Sequence, residues 1–223
     1  MGTIIFLAVL VWIIVHFVRK GNKHEAPDQP SATPSGETPD ECLVSEVEED
    51  LRKDPNRFKA DPETYVKCKF GFLKMYSKLL SSIDWDVTTS INPLSWTDFN
   101  IAAKARKWSE RGVYHGEEYC ALMNHTLDAE TKDKMAYLHM MRALVARLDN
   151  DHEKAYDHNC MRLRYENPDI ITEEVIGGML ADARNAGGDS KTFDMLTIFS
   201  DLAQEDPRWD TLTPKIRRVV GTD

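Results

Sequence analysis

The side chains of this chain that could do chemistry are densest at His152, His158 and Cys160. Imidazole and thiolate groups are zinc ligands, so three of them within nine positions raise the question of a metal site. On one helix, however, spacings of six and two residues place these side chains on different faces. They can converge on a metal only with ligands from elsewhere in the chain. A helical hydrolase with a split metal site is therefore one alternative function.

The common catalytic motifs are missing from the sequence. The stretches HGEEYC (residues 115–120) and DHEKAYDH (residues 151–158) lack the HExxH spacing of a metalloprotease helix. The chain also has no GxSxG nucleophile elbow and no glycine-rich phosphate loop. We therefore predict that the protein is not an enzyme, and we assign no catalytic, cofactor-binding or metal-ligating residue and no cofactor.

The N-terminal segment carries no charge from Thr3 to Val18, and twelve of these sixteen residues are Ile, Leu, Val or Phe. Insertion scales give such a segment roughly −5 kcal/mol in favour of the bilayer, which predicts a transmembrane helix. A cleaved leader is not expected, because positive charge follows the apolar run and no small-residue cleavage site is present. We assign residues 1–23 to an anchor with a basic flank. Its anchoring side chains are Ile4, Phe6, Leu10, Trp12, Ile14 and Phe17.

Three cations, Arg19, Lys20 and Lys23, directly follow the apolar run. Basic residues beside a membrane span tend to stay on the cytosolic side. This asymmetry predicts a single-pass membrane protein whose N-terminus is outside and whose C-terminal domain is cytosolic. The sequence does not indicate which membrane.

The chain after the anchor falls into two parts. Residues 24–40 contain four prolines among Ser, Thr, Gly and acidic residues, which is typical of a flexible linker. Residues 41–223 are long enough for one folded domain with a hydrophobic core. The formal net charge of −9 lies almost wholly in this domain. Nucleic acid is therefore not expected as a partner, because binding it requires a basic surface.

The hydrophobic pattern of residues 41–223 predicts helices, and strand signals are nearly absent, so the expected class is all-α. Asp61 followed by Pro62 is typical of a helix start. We expect a third helix to end at Gly112 and a fourth to span residues 117–127. The other predicted helices span residues 43–51, 61–80, 128–148, 152–166, 172–187, 189–205 and 214–220.

Three aromatic residues, Tyr119, Tyr156 and Phe193, recur at intervals of 37. We interpret each as an early position in the second helix of a helix pair, which predicts an array of antiparallel helical hairpins.

The stretch RLDNDHEKAYDHNCMRLRYENP (residues 147–168) resembles the tetratricopeptide-repeat family in its inter-helix turn, its small residue Ala155 and its closing proline. GGDSKTFDMLTIFSDLAQEDP (residues 187–207) is a poorer copy. The resemblance covers about residues 97–210. It departs from the family in its period, which exceeds the usual 34, and in the first helix, where only Ala143 matches the typical small residue.

A stack of hairpins leaves an extended surface that binds peptides and proteins. The resemblance implies the same activity. The predicted function is a membrane-anchored scaffold, adaptor or accessory subunit of a membrane complex, and its expected ligand is a basic or amphipathic protein segment. A protein-import or targeting receptor is a second alternative. The candidate partner-binding residues are Trp85 and Trp96, in a long interruption between helices, together with Tyr119 and Tyr156.

Overall fold

A computed structural model describes residues 39–54, 56, 61–83, 99–124 and 126–221. No strand occurs among these residues, which confirms the prediction of an all-α chain. Residues Leu43–Asp223 belong to one compact unit. The described helices are α1 (Pro39–Lys53), α2 (Pro62–Ser81), α3 (Phe99–Leu122), α4 (Ala129–Leu148), α5 (His152–Leu163), α6 (Glu173–Glu205) and α7 (Thr213–Val220), with short 3-10 helices at Pro168–Ile170 and Pro207–Leu212.

Side-chain caps fix most of the helix starts at the predicted positions. The Asp61 carboxylate accepts hydrogen bonds from the backbone N–H groups of Glu63 and Thr64, and Pro62 occupies the first turn of α2. Asp128 and Thr172 cap α4 and α6 in the same way. Each cap satisfies a backbone donor that the first helical turn leaves free.

Helix α3 differs from the prediction, because it runs without interruption through Gly112 to Leu122. A Cβ atom at Gly112 would lie 2.7 Å from Cδ2 of Leu138 on α4 and 3.0 Å from Cβ of Tyr76 on α2. A Cβ at Gly116 would collide with Met135 of α4. These glycines therefore permit close helix packing and do not end a helix. The expected break at Gly112 and the separate helix over residues 117–127 are both wrong.

The predicted break at Gly187-Gly188 is confirmed. Both residues leave the helical region within α6, and Gly188 has φ +62°, a conformation that favours glycine. Two helical halves therefore meet at this point.

Helices that follow one another in sequence also pack against one another. Helix α2 packs on α3, α3 on α4, α4 on α5, α5 on α6 and α6 on α7. Helices α2 and α3 run antiparallel, since Tyr65 contacts Glu118 whereas Tyr76 lies beside Gly112. The C-terminal core is built from apolar side chains of α5, of α6, of the second 3-10 helix and of the segment before α6: Tyr156, Leu163, Ile171, Ile176, Met179, Leu180, Ala183, Met195, Phe199, Trp209 and Leu212.

The predicted localisation requires correction. Within the ranges that the structure describes, no helix is long and apolar enough to cross a membrane, a finding that contradicts the prediction of a single-pass membrane protein with a cytosolic domain. The described helices carry charged residues along their length, which makes insertion costly. The proposed anchoring residues, the flank at Arg19, Lys20 and Lys23, and most of the predicted linker lie outside the described residues. The linker was expected to reach residue 40, whereas α1 begins at Pro39.

Candidate functional site

The aromatic residues predicted to bind partners are not equivalent in the structure. Trp85 and Trp96 lie outside the described residues. Tyr119 lies in the last turn of α3, not early in a second helix, and its ring stacks on Phe70 with centroids 5.0 Å apart. Tyr156 is buried in the core, with the ammonium group of Lys191 4.5 Å from its ring centroid. The equivalence implied by the interval of 37 is therefore wrong for Tyr119.

Phe193, the third member of the series, has a different environment. It lies in the second half of α6 with 68% of its surface exposed. An aromatic side chain so exposed provides apolar area that a partner could cover.

A groove opens beside this part of α6, between its second half and α7. We call it the C-terminal groove, and its volume is about 370 Å³. Apolar side chains form its floor: Leu196, Phe199, Ala203, Trp209 and Ile216. Phe199 and Trp209 are 4% and 6% exposed, with ring centroids 6.5 Å apart. The rim is polar and comprises Ser200, Gln204, Asp210, Thr213 and Arg217.

The local sequence explains why the groove forms. Asp206 ends α6 and caps the 3-10 helix that begins at Pro207, so the chain turns back and buries Trp209 against Phe199. Pro214 then lies in the first turn of α7, as predicted from the sequence.

Polar contacts hold α7 in place. Lys215 donates from Nζ to the backbone oxygen of Ile171 at 2.7 Å, and Arg218 pairs with Glu173 at 2.7 Å. Both partners lie at or before the start of α6. Helix α7 is therefore attached to the first half of α6, and the C-terminal groove opens along the second half.

An acidic surface lies on the second half of α6, mainly on the side away from the C-terminal groove. It comprises the exposed residues Asp189, Asp194, Asp201 and Glu205, which we call the acidic face. None of these carboxylates forms an ion pair with another residue that the structure describes. Lys191, the basic residue in this stretch, lies over the Tyr156 ring. Glu205 lines a separate cavity together with the cations Lys132, Arg164 and Arg208.

A buried polar network joins α1, α2 and α3. The Lys69 ammonium can only donate, so it donates a hydrogen bond to the Nδ1 atom of His115, 3.0 Å away. Nε2 of His115 then donates to Glu48 at 2.7 Å, and Arg111 pairs with the same carboxylate. Lys69 also pairs with Glu118 at 2.6 Å. Lys69 and His115 are 2% and 4% exposed.

The network alters the protonation of its members. Burial would raise the pKa of Glu48, but hydrogen bonds from His115 and Tyr76 and the charge of Arg111 outweigh it and hold that pKa below its usual value. Burial lowers the pKa of His115, against the opposing effect of Glu48. Glu48 is therefore ionised and His115 neutral, as the hydrogen bonds require.

A second network lies on the other side of α3. Glu117 accepts a hydrogen bond from Nε2 of His139 at 2.9 Å, and Nδ1 of His139 lies 3.1 Å from Nδ1 of His158. Tyr165 also donates to Glu117. Burial lowers the pKa of His158 to about 4, with further contributions from the nearby charges of His139 and Arg142. His158 is therefore neutral near pH 7, and one hydrogen bond joins its Nδ1 to Nδ1 of His139.

His158 thus contacts His139 and does not converge with the other two members of the sequence-predicted group. The thiol of Cys160 is hydrogen-bonded to the hydroxyl of Tyr156 instead. No group of three or more His, Cys, Asp or Glu side chains is arranged to hold a metal ion in the part of the chain that the structure describes.

A third network connects α4, α5 and α6. Arg147 donates from Nε to both oxygens of Asp182, at 2.8 and 2.7 Å, and Asn159 donates to the same carboxylate at 2.7 Å. Asp182 and Asn159 are almost completely buried. These networks tie successive helices together, since a buried charge must be paired and hydrogen-bonded.

Comparison with family models, with curated proteins and with solved structures finds no match for this chain. The resemblance to the tetratricopeptide-repeat family therefore stays a prediction from the sequence.

Proposed function

We propose that the protein is an interaction module, a scaffold or adaptor built as a tetratricopeptide-like array of helical hairpins, and that the C-terminal groove binds its protein partner. The observation that carries this proposal is the apolar floor of the C-terminal groove, which is open to solvent beside exposed Phe193.

The packing of the chain supports a binding role. From α2 to α7 each helix packs on the next one, and such stacks present long surfaces to partners. Clusters of apolar and aromatic groups with a polar rim are also typical of the centres of protein interfaces. In this proposal the protein acts by binding and not as an enzyme. The alternatives of a targeting receptor and of a hydrolase with a split metal site stay predictions, because no observation on the described residues favours either.

Site-specific photo-crosslinking in cells tests this proposal. Full-length protein carries p-benzoylphenylalanine in place of Ser200, at the rim of the C-terminal groove, or in place of exposed Glu110 on α3 as the control. We expect one defined protein to be captured from position 200 and not from position 110. The purified pair should then associate, and Ser200→Trp, which fills the groove, should abolish the association.

Two results would contradict the proposed function. One is equal labelling from positions 200 and 110. The other is the absence of any protein adduct at position 200 in cells where the variant is folded, as judged by its melting curve.

A further inference from the structure

Resting on the proposed function, we infer that the occupant of the C-terminal groove is a second copy of this chain. The two copies face each other across a two-fold axis, and each inserts Phe193 into the groove of the other. Three features support this pairing: the position of Phe193, a groove wall without charge, and a rim with one acid and one base.

Phe193 lies on the side of α6 that forms the groove. It is 68% exposed, and it precedes Leu196 by three residues and Ser200 by seven, which are spacings of one helix face. Consider two α6 helices packed antiparallel, with Leu196 of each opposite the partner's Ser200. Phe193 of each then lies opposite the partner's Ala203, because these two residues are each three positions further along the helix. Ala203 belongs to the apolar floor of the groove, so the exposed ring of each copy would be covered there.

The wall of the groove that α6 provides carries no charge. Its residues are apolar or neutral: Leu196, Phe199, Ser200, Ala203 and Gln204. The chain has a net charge of −9, so two copies repel each other where their acidic surfaces meet. Of the acidic face, Asp194, Asp201 and Glu205 lie on the opposite side of α6. Asp189 lies about 10 Å from Leu196 along the helix, outside the groove. Two copies therefore meet few like charges when they approach through the groove.

The other wall of the groove carries one acid and one base at its rim, Asp210 and Arg217. Both are exposed, and neither forms an ion pair with another residue that the structure describes. A two-fold interface is self-complementary, so a contact of Asp210 with the partner's Arg217 implies the reverse contact as well. Two symmetric ion pairs would form in this way. A wholly basic or wholly acidic partner would instead meet a like charge at one of the two positions.

Charge-swap variants of the full-length protein test this inference by sedimentation velocity over a range of concentrations. Asp210→Arg places two cations opposite each other at both ion-pair positions of the dimer, and Arg217→Asp places two anions there. We expect each variant alone to dimerise at least about tenfold more weakly than the unchanged protein. An equimolar mixture of the two variants should recover dimerisation to within about threefold, because both ion pairs form again between unlike copies.

Matched controls carry the same change of charge elsewhere. Glu110→Arg on α3 and Arg184→Asp in the first half of α6 alter exposed residues outside the groove, and each should leave the dimerisation constant within about twofold. Phe193→Ala should weaken dimerisation by about tenfold, against less than twofold for Leu122→Ala, which truncates a partly exposed apolar residue of α3.

Failure of this inference can be distinguished from failure of the proposed function. The inference is wrong if the full-length protein stays monomeric up to about 0.2 mM, or if the mixture of variants dimerises no better than its components. A dimer that neither charge reversal weakens would also overturn it. So would the capture from position 200 of another protein and never of a second copy, although the proposed function then stands. The absence of any protein adduct at position 200 would contradict the function itself.

Discussion

Removing the carboxylate of Glu48 should weaken the attachment of α1 to the domain. This side chain is 9% exposed. It accepts hydrogen bonds from His115 and Tyr76 and forms an ion pair with Arg111. The substitution Glu48→Ala deletes these contacts together and leaves the backbone of α1 unchanged, since alanine is a good helix former.

The magnitude follows from the groups that lose their partner. The Nε2–H of His115 and the hydroxyl of Tyr76 are buried, and each would be left without an acceptor at a cost of about 1–3 kcal/mol. Arg111 is 48% exposed on its side chain and can turn to water, so its loss adds little. We therefore expect Glu48→Ala to lower the free energy of unfolding by about 2–6 kcal/mol.

Urea denaturation of the full-length protein at neutral pH measures this change. Glu46→Ala on the same helix is the matched control, because its carboxylate is exposed, and it should not move the midpoint measurably. Glu48→Gln keeps one acceptor oxygen and should have an intermediate effect. A loss below about 1 kcal/mol for Glu48→Ala would refute the reasoning, because it would mean that the buried donors find other partners.

Three further changes test the packing and the other networks. Gly112→Ala should destabilise the protein by about 1–3 kcal/mol, because the new Cβ atom would lie 2.7 Å from Leu138. Gly71→Ala has open space around it and should stabilise the protein by about 0.5–1 kcal/mol. Equal melting temperatures for the two variants would contradict this reasoning. The pKa of His158 is lowered to about 4, below the ordinary value near 6.5, so the unfolded chain takes up the proton first. The free energy of unfolding should therefore fall as the pH decreases from about 6.5 to 4. A pH series of urea titrations should show a smaller decrease for His158→Gln. An equal decrease in the two proteins would be evidence against a buried neutral imidazole. Asp182→Ala should cost about 1–3 kcal/mol because the buried amide of Asn159 loses its acceptor, whereas Arg147, 37% exposed on its side chain, can turn to water; circular dichroism melts showing no measurable loss would disagree.

Local signals in the sequence predicted most helix ends. Asp61, Asp128 and Thr172 each precede a helix and satisfy its first N–H groups, and Gly188 supplies a conformation that other residues avoid. These signals act within a few residues, so they can be read without knowing the rest of the fold.

Tertiary packing explains why some predictions from the sequence were wrong. Glycine is unfavourable in a helix interior, so Gly112 was predicted to end a helix. Its close contacts with Leu138 and Tyr76 exist only in the assembled packing of α2, α3 and α4. The interval of 37 that linked Tyr119 with Tyr156 is a property of the sequence alone, and it does not give the two residues the same environment.

The polar networks were missed for a similar reason. Segment 115–120 was compared with metalloprotease spacing, whereas its His115 and Glu117 pair with side chains at positions 48 and 139, on other helices. Periodicity indicates which face of a helix is buried, but it does not identify the partner of a buried charge. The C-terminal groove likewise depends on the turn at Pro207, which brings Trp209 against Phe199.

Hydrogen–deuterium exchange of the full-length protein, with and without a saturating concentration of the partner protein captured from position 200, tests the central claim most directly. The account predicts that exchange slows along residues 193–217, which contain the groove walls, and stays unchanged in α1, α2 and α3. Slower exchange confined to α1–α3, or none anywhere at saturation, would contradict the assignment of the C-terminal groove as the partner-binding site.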